Sequence, residues 1–215
     1  MSEERLQVGV TRSYDLAYLR YWPETDGPVP LVIFLHGAGE RGDDLDLLTV
    51  HGPPEQALSG QRLPFALLAP QCPEDSWWTR QSEAVIALLD DTLQQRNVDP
   101  DRIYLTGLSM GGMGTWDIAA RHPERFAAIV PICGNSGRWF AQRLVTMPIW
   151  AFHNADDPVV PVAGTTEMVA AIEQAGGRPR MTINPTGGHD AWTAAYDDPE
   201  LYAWLLRQHR SGDNS

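Results

Sequence analysis

Cysteine is scarce: Cys72 and Cys133 are the only two in 215 residues. A small scaffold stapled by disulfides is thereby excluded, and the fold has to rest on an apolar core. The two thiols read as free, as in a reducing compartment. A pairing between them stays open, because both stand just beyond strand-like runs. No window approaches the ~18 to 20 uncharged apolar residues of a membrane-spanning helix. The opening Met1-Ser2-Glu3-Glu4-Arg5 is acidic and lacks an apolar h-region, so it does not read as a signal peptide, and a cytoplasmic location is expected. Basic residues are outnumbered, 16 Lys and Arg against 28 Asp and Glu, for a formal net charge of −12. That balance argues against nucleic acid and anionic membranes as partners. Internal repeats, low-complexity tracts and linkers are missing as well, so residues 1–215 read as one domain with its core at about 14–209.

What remains is globular in character, 43% hydrophobic and 20% charged. Apolar, β-branched runs at 31–35, 65–69, 102–105, 127–132, 149–152 and 180–184 suit strands, the most apolar of them buried on both faces. A less regular aromatic run at 16–22 precedes them. Apolar residues at helical spacing mark helices at 82–96, after the run ending at Leu105, at 162–175 (closed by Gly176-Gly177) and at 199–209. The polar stretch up to Leu63 has room for one short helix. Strands alternating with helices indicate an α/β domain on a mostly parallel sheet. Ligands in such sheets bind beyond the carboxyl ends of the strands.

The most informative of these ends is Gly107-Leu108-Ser109-Met110-Gly111-Gly112, entered by a strand-like run and left by a helix-compatible one. This is the G-x-S-x-G pattern of a nucleophile elbow, whose glycines keep crowding backbone clear while the turn lifts the serine hydroxyl off the strand. A serine hydroxyl is a weak nucleophile until a base takes its proton and a third group orients that base. Downstream, His189 follows the last strand in a Gly-Gly-His-Asp turn and is the better base. His153 ends an interior strand, where a histidine is usually packed and hydrogen-bonded. Asp156 and Asp157 both follow the strand ending at Phe152, and either can supply the acid while the other caps a turn. Asp190 reads as a loop-shaping residue. The early strand empties into His36-Gly37-Ala38-Gly39. The amides of Ala38 and Met110 are therefore the candidate oxyanion donors, each typically worth ~3 to 4 kcal/mol. Glu40 and Arg41 can brace that loop as an ion pair.

Taken together these residues resemble the α/β-hydrolase superfamily, and within it the small carboxylesterases of the phospholipase/carboxylesterase and dienelactone-hydrolase-like branch. The likeness rests on residues 34–42, 107–112, Asp157-Pro158-Val159-Val160-Pro161 and Gly188-His189, in the family's order. It implies a single-domain α/β-hydrolase fold and catalytic Ser109, Asp157 and His189. It implies acyl transfer on a small-molecule ester, and no metal or cofactor. It favours Asp157 over Asp156, since the family's acid stands immediately before such a Pro-Val-Val-Pro segment. Asn154 departs from the family's usual glycine, which asparagine can replace if the turn is left-handed.

Residues 134–147, where this fold commonly inserts a cap, hold only a short helix at 137–144, so the site should be open. Trp77, Trp78, Trp139, Phe140 and Trp192 lie in loops at the catalytic edge, and Trp78 and Trp192 are the candidate substrate-binding side chains. A monomer or homodimer is expected. The same triad would also serve thioesters, amides or peptide bonds, and a non-catalytic binding module is a further alternative.

Overall fold

The computed structural model describes residues 13–210. The acidic opening at Met1 to Arg5 lies outside the described residues. Seven strands form one sheet in the order β1-β3-β2-β4-β5-β6-β7. They are β1 (Tyr18–Tyr21), β2 (Val29–Leu35), β3 (Ala66–Pro70), β4 (Val98–Leu108), β5 (Ala128–Ile132), β6 (Trp150–Asn154) and β7 (Arg180–Asn184). β1 runs antiparallel to β3 at one edge, and every other pairing is parallel.

The apolar runs become central strands because their alternating side chains enter two separate cores. In β2, Leu31, Ile33 and Leu35 face one core, while Val32 and Phe34 face the other. The first core is closed by α2 (Ser82–Gln95), α3 (Met110–Arg121) and α4 (Ala163–Gln174), which contribute Val85, Leu89, Trp116, Ile118, Met168 and Ile172. The second is closed by α5 (Trp192–Asp197) and α6 (Pro199–Leu206), through Ala195, Tyr196, Leu201 and Leu205, with α1 (Gly52–Leu58) alongside. Gly176, at φ 99°, ends α4 in the left-handed conformation that the Gly-Gly pair foretold.

Two details differ from expectation. β4 begins at Val98 instead of Arg102, because Val98 pairs with Val29 across a register shift in β2. The helix α5 is not foreshadowed by the sequence pattern. It is only six residues long and is held from outside, by the Tyr196 hydroxyl on Thr106 Oγ1 (2.9 Å) and by Gln56 Nε2 donating to the Tyr196 carbonyl (2.9 Å). Between β5 and β6 the described chain holds a short 3-10 helix, Arg138–Leu144, in line with the short helix expected there. No helix among the described residues is long and apolar enough to cross a membrane. Cys72 and Cys133 are both free and buried, so no disulfide joins them.

Candidate active site

Ser109 stands where β4 becomes α3, with φ 53° and ψ −116°. Positive φ is strained for a side-chain-bearing residue, and sites that hold it are commonly functional. The neighbouring glycines make the turn possible. A Cβ on Gly111 would lie 1.8 Å from the Leu35 carbonyl oxygen, and one on Gly107 would lie 2.6 Å from both that oxygen and the Gly111 carbonyl oxygen. The Ser109 amide is anchored to the Ile132 carbonyl of β5 at 2.9 Å.

His189 reaches this serine from the loop after β7. Its Nε2 is 2.9 Å from Ser109 Oγ, and its Nδ1 is 2.7 Å from Asp157 Oδ2. Asp157 Oδ1 accepts the amides of Val159 (2.8 Å) and Val160 (2.9 Å), and the carboxylate has no exposure to solvent. Burial is the largest influence on this group and works upward. The hydrogen bonds from His189 and from the Val160 and Val159 amides together outweigh it and hold the carboxyl below its ordinary value. With Nδ1 donating to the acid, Nε2 is left to accept from the serine hydroxyl.

The second aspartate has a different task. Asp156 accepts the amides of Gly188 (2.9 Å) and Gly187 (3.3 Å), fixing the loop that carries the imidazole. Asn154 shares that task through its side chain. It stays in extended strand, donates to the Gly188 carbonyl at 3.1 Å and accepts from Asn184 Nδ2 at 2.9 Å. A left-handed turn, the expected reason for tolerating asparagine here, is therefore absent. Asp190 braces the first turn of α5 by accepting from the amide and hydroxyl of Thr193.

Ala38 opens a 3-10 turn, Ala38–Glu40, and Met110 opens α3. Neither amide is taken by an acceptor among the described residues. Gly37, just before Ala38, lies close to the nucleophile, where a Cβ would come 3.8 Å from Ser109 Cβ. The loop is pinned by His36, whose Nε2 accepts from the Cys72 amide at 2.9 Å, so its Nδ1 carries the hydrogen and donates to the Gly37 carbonyl at 2.6 Å. Burial pulls the His36 pKa down to about 4, and the ring is neutral near pH 7. The expected Glu40–Arg41 ion pair does not form. Arg41 instead donates to the carbonyls of Ala38 (3.0 Å) and Ser76 (3.3 Å), and Glu40 Oε2 lies 3.8 Å from His36 Nδ1. The two adjacent side chains point to different partners, Glu40 toward His36 and Arg41 toward the loop carbonyls, so the carboxylate does not meet the guanidinium.

The two tryptophans expected at the substrate separate. Trp78 is 1% exposed, donates to the His36 carbonyl at 2.9 Å and packs edge-on against the His36 ring. With no free surface it cannot contact substrate, and the expected substrate-binding role is corrected to that of a loop brace. Trp192 does stand at the site, perpendicular to His189 with ring centroids 5.3 Å apart. Trp139 is 80% exposed beside Phe140. His153 is buried, as its interior strand implied, with Nδ1 on Thr165 Oγ1 at 2.8 Å and Nε2 on the Val160 carbonyl at 2.9 Å.

Residues 74–140, which include the elbow, match the prolyl oligopeptidase family. A thermostable esterase of known crystal structure is 36% identical and superposes with a TM-score of 0.81, over 91% of this chain and 60% of that one. NocK of Nocardia uniformis subsp. tsuyamanensis is 26% identical over 207 residues, 90% of this chain and 59% of its own. Acetylxylan esterase A of Emericella nidulans is 32% identical over 108 residues, 47% of this chain and 34% of its own. The chain thus spans about three-fifths of the length of the first two.

Proposed function

We propose that the chain is a member of the α/β-hydrolase superfamily and, within it, a serine carboxylesterase acting through an acyl-enzyme. The observation that carries the proposal is the unbroken line Ser109 Oγ, His189 Nε2 and Nδ1, Asp157 Oδ2, joined at 2.9 and 2.7 Å. Ser109 attacks the ester carbonyl as His189 Nε2 takes its proton. Asp157 keeps Nδ1 protonated and steadies the imidazolium that forms. The carbonyl oxygen, now an oxyanion, turns toward the Met110 and Ala38 amides. Collapse returns the proton from His189 to the alcohol, which leaves. Water then repeats the sequence on the acyl-enzyme and restores Ser109. The relatives named as esterases support ester over amide as the bond attacked.

The test is turnover of short p-nitrophenyl esters together with fluorophosphonate labelling of Ser109. Folded protein that does neither would remove the proposal. The match to the prolyl oligopeptidase family favours a second reading, the same chemistry on a peptide bond. A panel pairing each ester with its amide decides between them, because the acyl-transfer machinery is common to both and only the leaving group differs.

A further inference from the structure

Asp157 Oδ2, the oxygen that receives the His189 hydrogen, has a second imidazole against it. His153 Nε2 lies 3.2 Å away, and neither of these two side chains has any exposure to solvent. The ring is held at both nitrogens, by the Val160 carbonyl at Nε2 and by Thr165 Oγ1 at Nδ1. Both oxygens facing Nε2, a carbonyl and a carboxylate, are acceptors, so Nε2 carries a hydrogen. A closed loop results: His153 donates to the Val160 carbonyl, the Val160 amide donates to Asp157 Oδ1, and Asp157 Oδ2 lies back against the His153 ring.

The far side of the ring adds a second feature. Thr165 Oγ1 is 2.8 Å from His153 Nδ1 and 2.9 Å from the Gly134 carbonyl. A hydroxyl has one hydrogen to give. Given to Nδ1, it leaves the ring neutral. Given to Gly134, which can only accept, it requires Nδ1 to donate as well, and the ring is then a cation. In both states an N–H edge faces Asp157 Oδ2.

We propose that His153 is a positioning residue of the proton relay, holding Asp157 in register with His189 and sharing the charge on Oδ2. The proposal rests on the serine-hydrolase reading above. Sharing matters because the carboxylate steadies the His189 imidazolium. The more of its charge is drawn toward His153, the more readily His189 sheds its proton and serves as a base at lower pH. The other titratable groups around this point do not compete for that role. Cys133, from the loop after β5, is pushed up to about 12 by burial and is neutral. Asp156 is occupied by the Gly187 and Gly188 amides, and Asp190 by Thr193. From α4, the group that meets the ring is the uncharged Thr165 hydroxyl.

The experiment compares pH profiles of kcat/KM on p-nitrophenyl acetate for the unaltered protein, His153→Leu and His153→Gln. His153→Leu is expected to lose about 10- to 100-fold in kcat, the scale of a misplaced catalytic group, and to move its acid limb to higher pH. In His153→Gln an amide N–H reaches the same place, and the acid limb should stay where it is in the unaltered protein. An unmoved limb in His153→Leu, or one moved to lower pH, overturns the proposal. Imidazole nitrogen NMR on the unaltered protein tests the same point without requiring any variant to fold. His153 Nε2 should remain protonated, and its N–H resonance should shift in step with the titration of His189. An unprotonated Nε2, or a resonance blind to that titration, also overturns it. Failure of the serine-hydrolase reading would look different, as absence of ester turnover and of Ser109 labelling in the unaltered protein.

Discussion

The indole N–H of Trp78 donates to the main-chain carbonyl of His36 at 2.9 Å, across 42 residues of chain. This buried bond joins the loop after β3 to the loop that presents the Ala38 amide, and Trp78 also fills the space left by Gly114, where a Cβ would meet Trp78 Cβ at 2.4 Å. Trp78→Ala is therefore expected to cost about 3–5 kcal/mol of stability, read as a lower urea midpoint. Trp192→Ala should leave the midpoint far less changed and alter kcat/KM instead, since Trp192 lies against His189. Normal stability with a raised KM in the Trp78→Ala variant would return Trp78 to the substrate.

The adjacent aspartates should separate in the same way. Asp157→Asn removes the acceptor that keeps His189 Nδ1 protonated and should lower kcat on the order of 10^3- to 10^4-fold. Asp156→Asn keeps one oxygen for the Gly188 amide and should cost only a small part of that. Steady-state kinetics on a p-nitrophenyl ester ranks the two, and the opposite ranking would give the acid's role to Asp156.

Gly111→Ala is expected to destabilise by more than about 4 kcal/mol, because the new Cβ would sit 1.8 Å from backbone oxygen that has nowhere to go. Gly39→Ala, in the oxyanion loop but with nothing within 4 Å of its Cβ position, should fold normally. Thermal melts of the two proteins make the comparison.

Acid should destabilise the protein in two successive stages. His36 is held neutral, with its pKa lowered from 6.5 to about 4. The unfolded chain therefore binds this proton first. The stability involved is complete above about pH 6.5 and is lost as pH falls toward 4, about 3 kcal/mol in all. Asp157 is also depressed, so its contribution is present above the ordinary carboxylate value and is lost as pH falls through the lower folded value. Unfolding free energies from urea titrations between pH 7 and pH 4 should decline, and His36→Asn should flatten that decline.

Cys72 and Cys133 are buried, and burial pushes their thiols up to about 11 and about 12. Neither forms appreciable thiolate near neutrality. A thiol reagent at pH 8 should leave both unmodified in the folded protein and take two equivalents in urea.

The parts of this molecule legible in the sequence are those governed by local pattern. Alternation and apolar runs mark the strands, helical spacing marks α2 and α4, and glycines two residues either side of Ser109 mark the turn that a side chain would block. α5 escapes because six residues have too little periodicity of their own and take their helix from Gln56 and Thr106, far away in the chain. Trp78 is misplaced because a loop tryptophan at a strand end has the same local signature whether it lines a pocket or plugs the space beside a glycine.

Residue type, order and strand-end position by themselves determined that Ser109, an aspartate and His189 belong at one sheet edge, since the chemistry of a nucleophile, a base and an orienting acid restricts which side chains qualify. Only the tertiary structure decided how the neighbouring residues divide the labour: Asp157 on the imidazole and Asp156 on the loop amides, Asn154 bridging strands by its side chain, His153 against the carboxylate. Those roles depend on which atoms lie within about 3 Å of one another, and that distance is set by the register of β6 on β7 and the packing of α4, neither of which any local run of sequence contains.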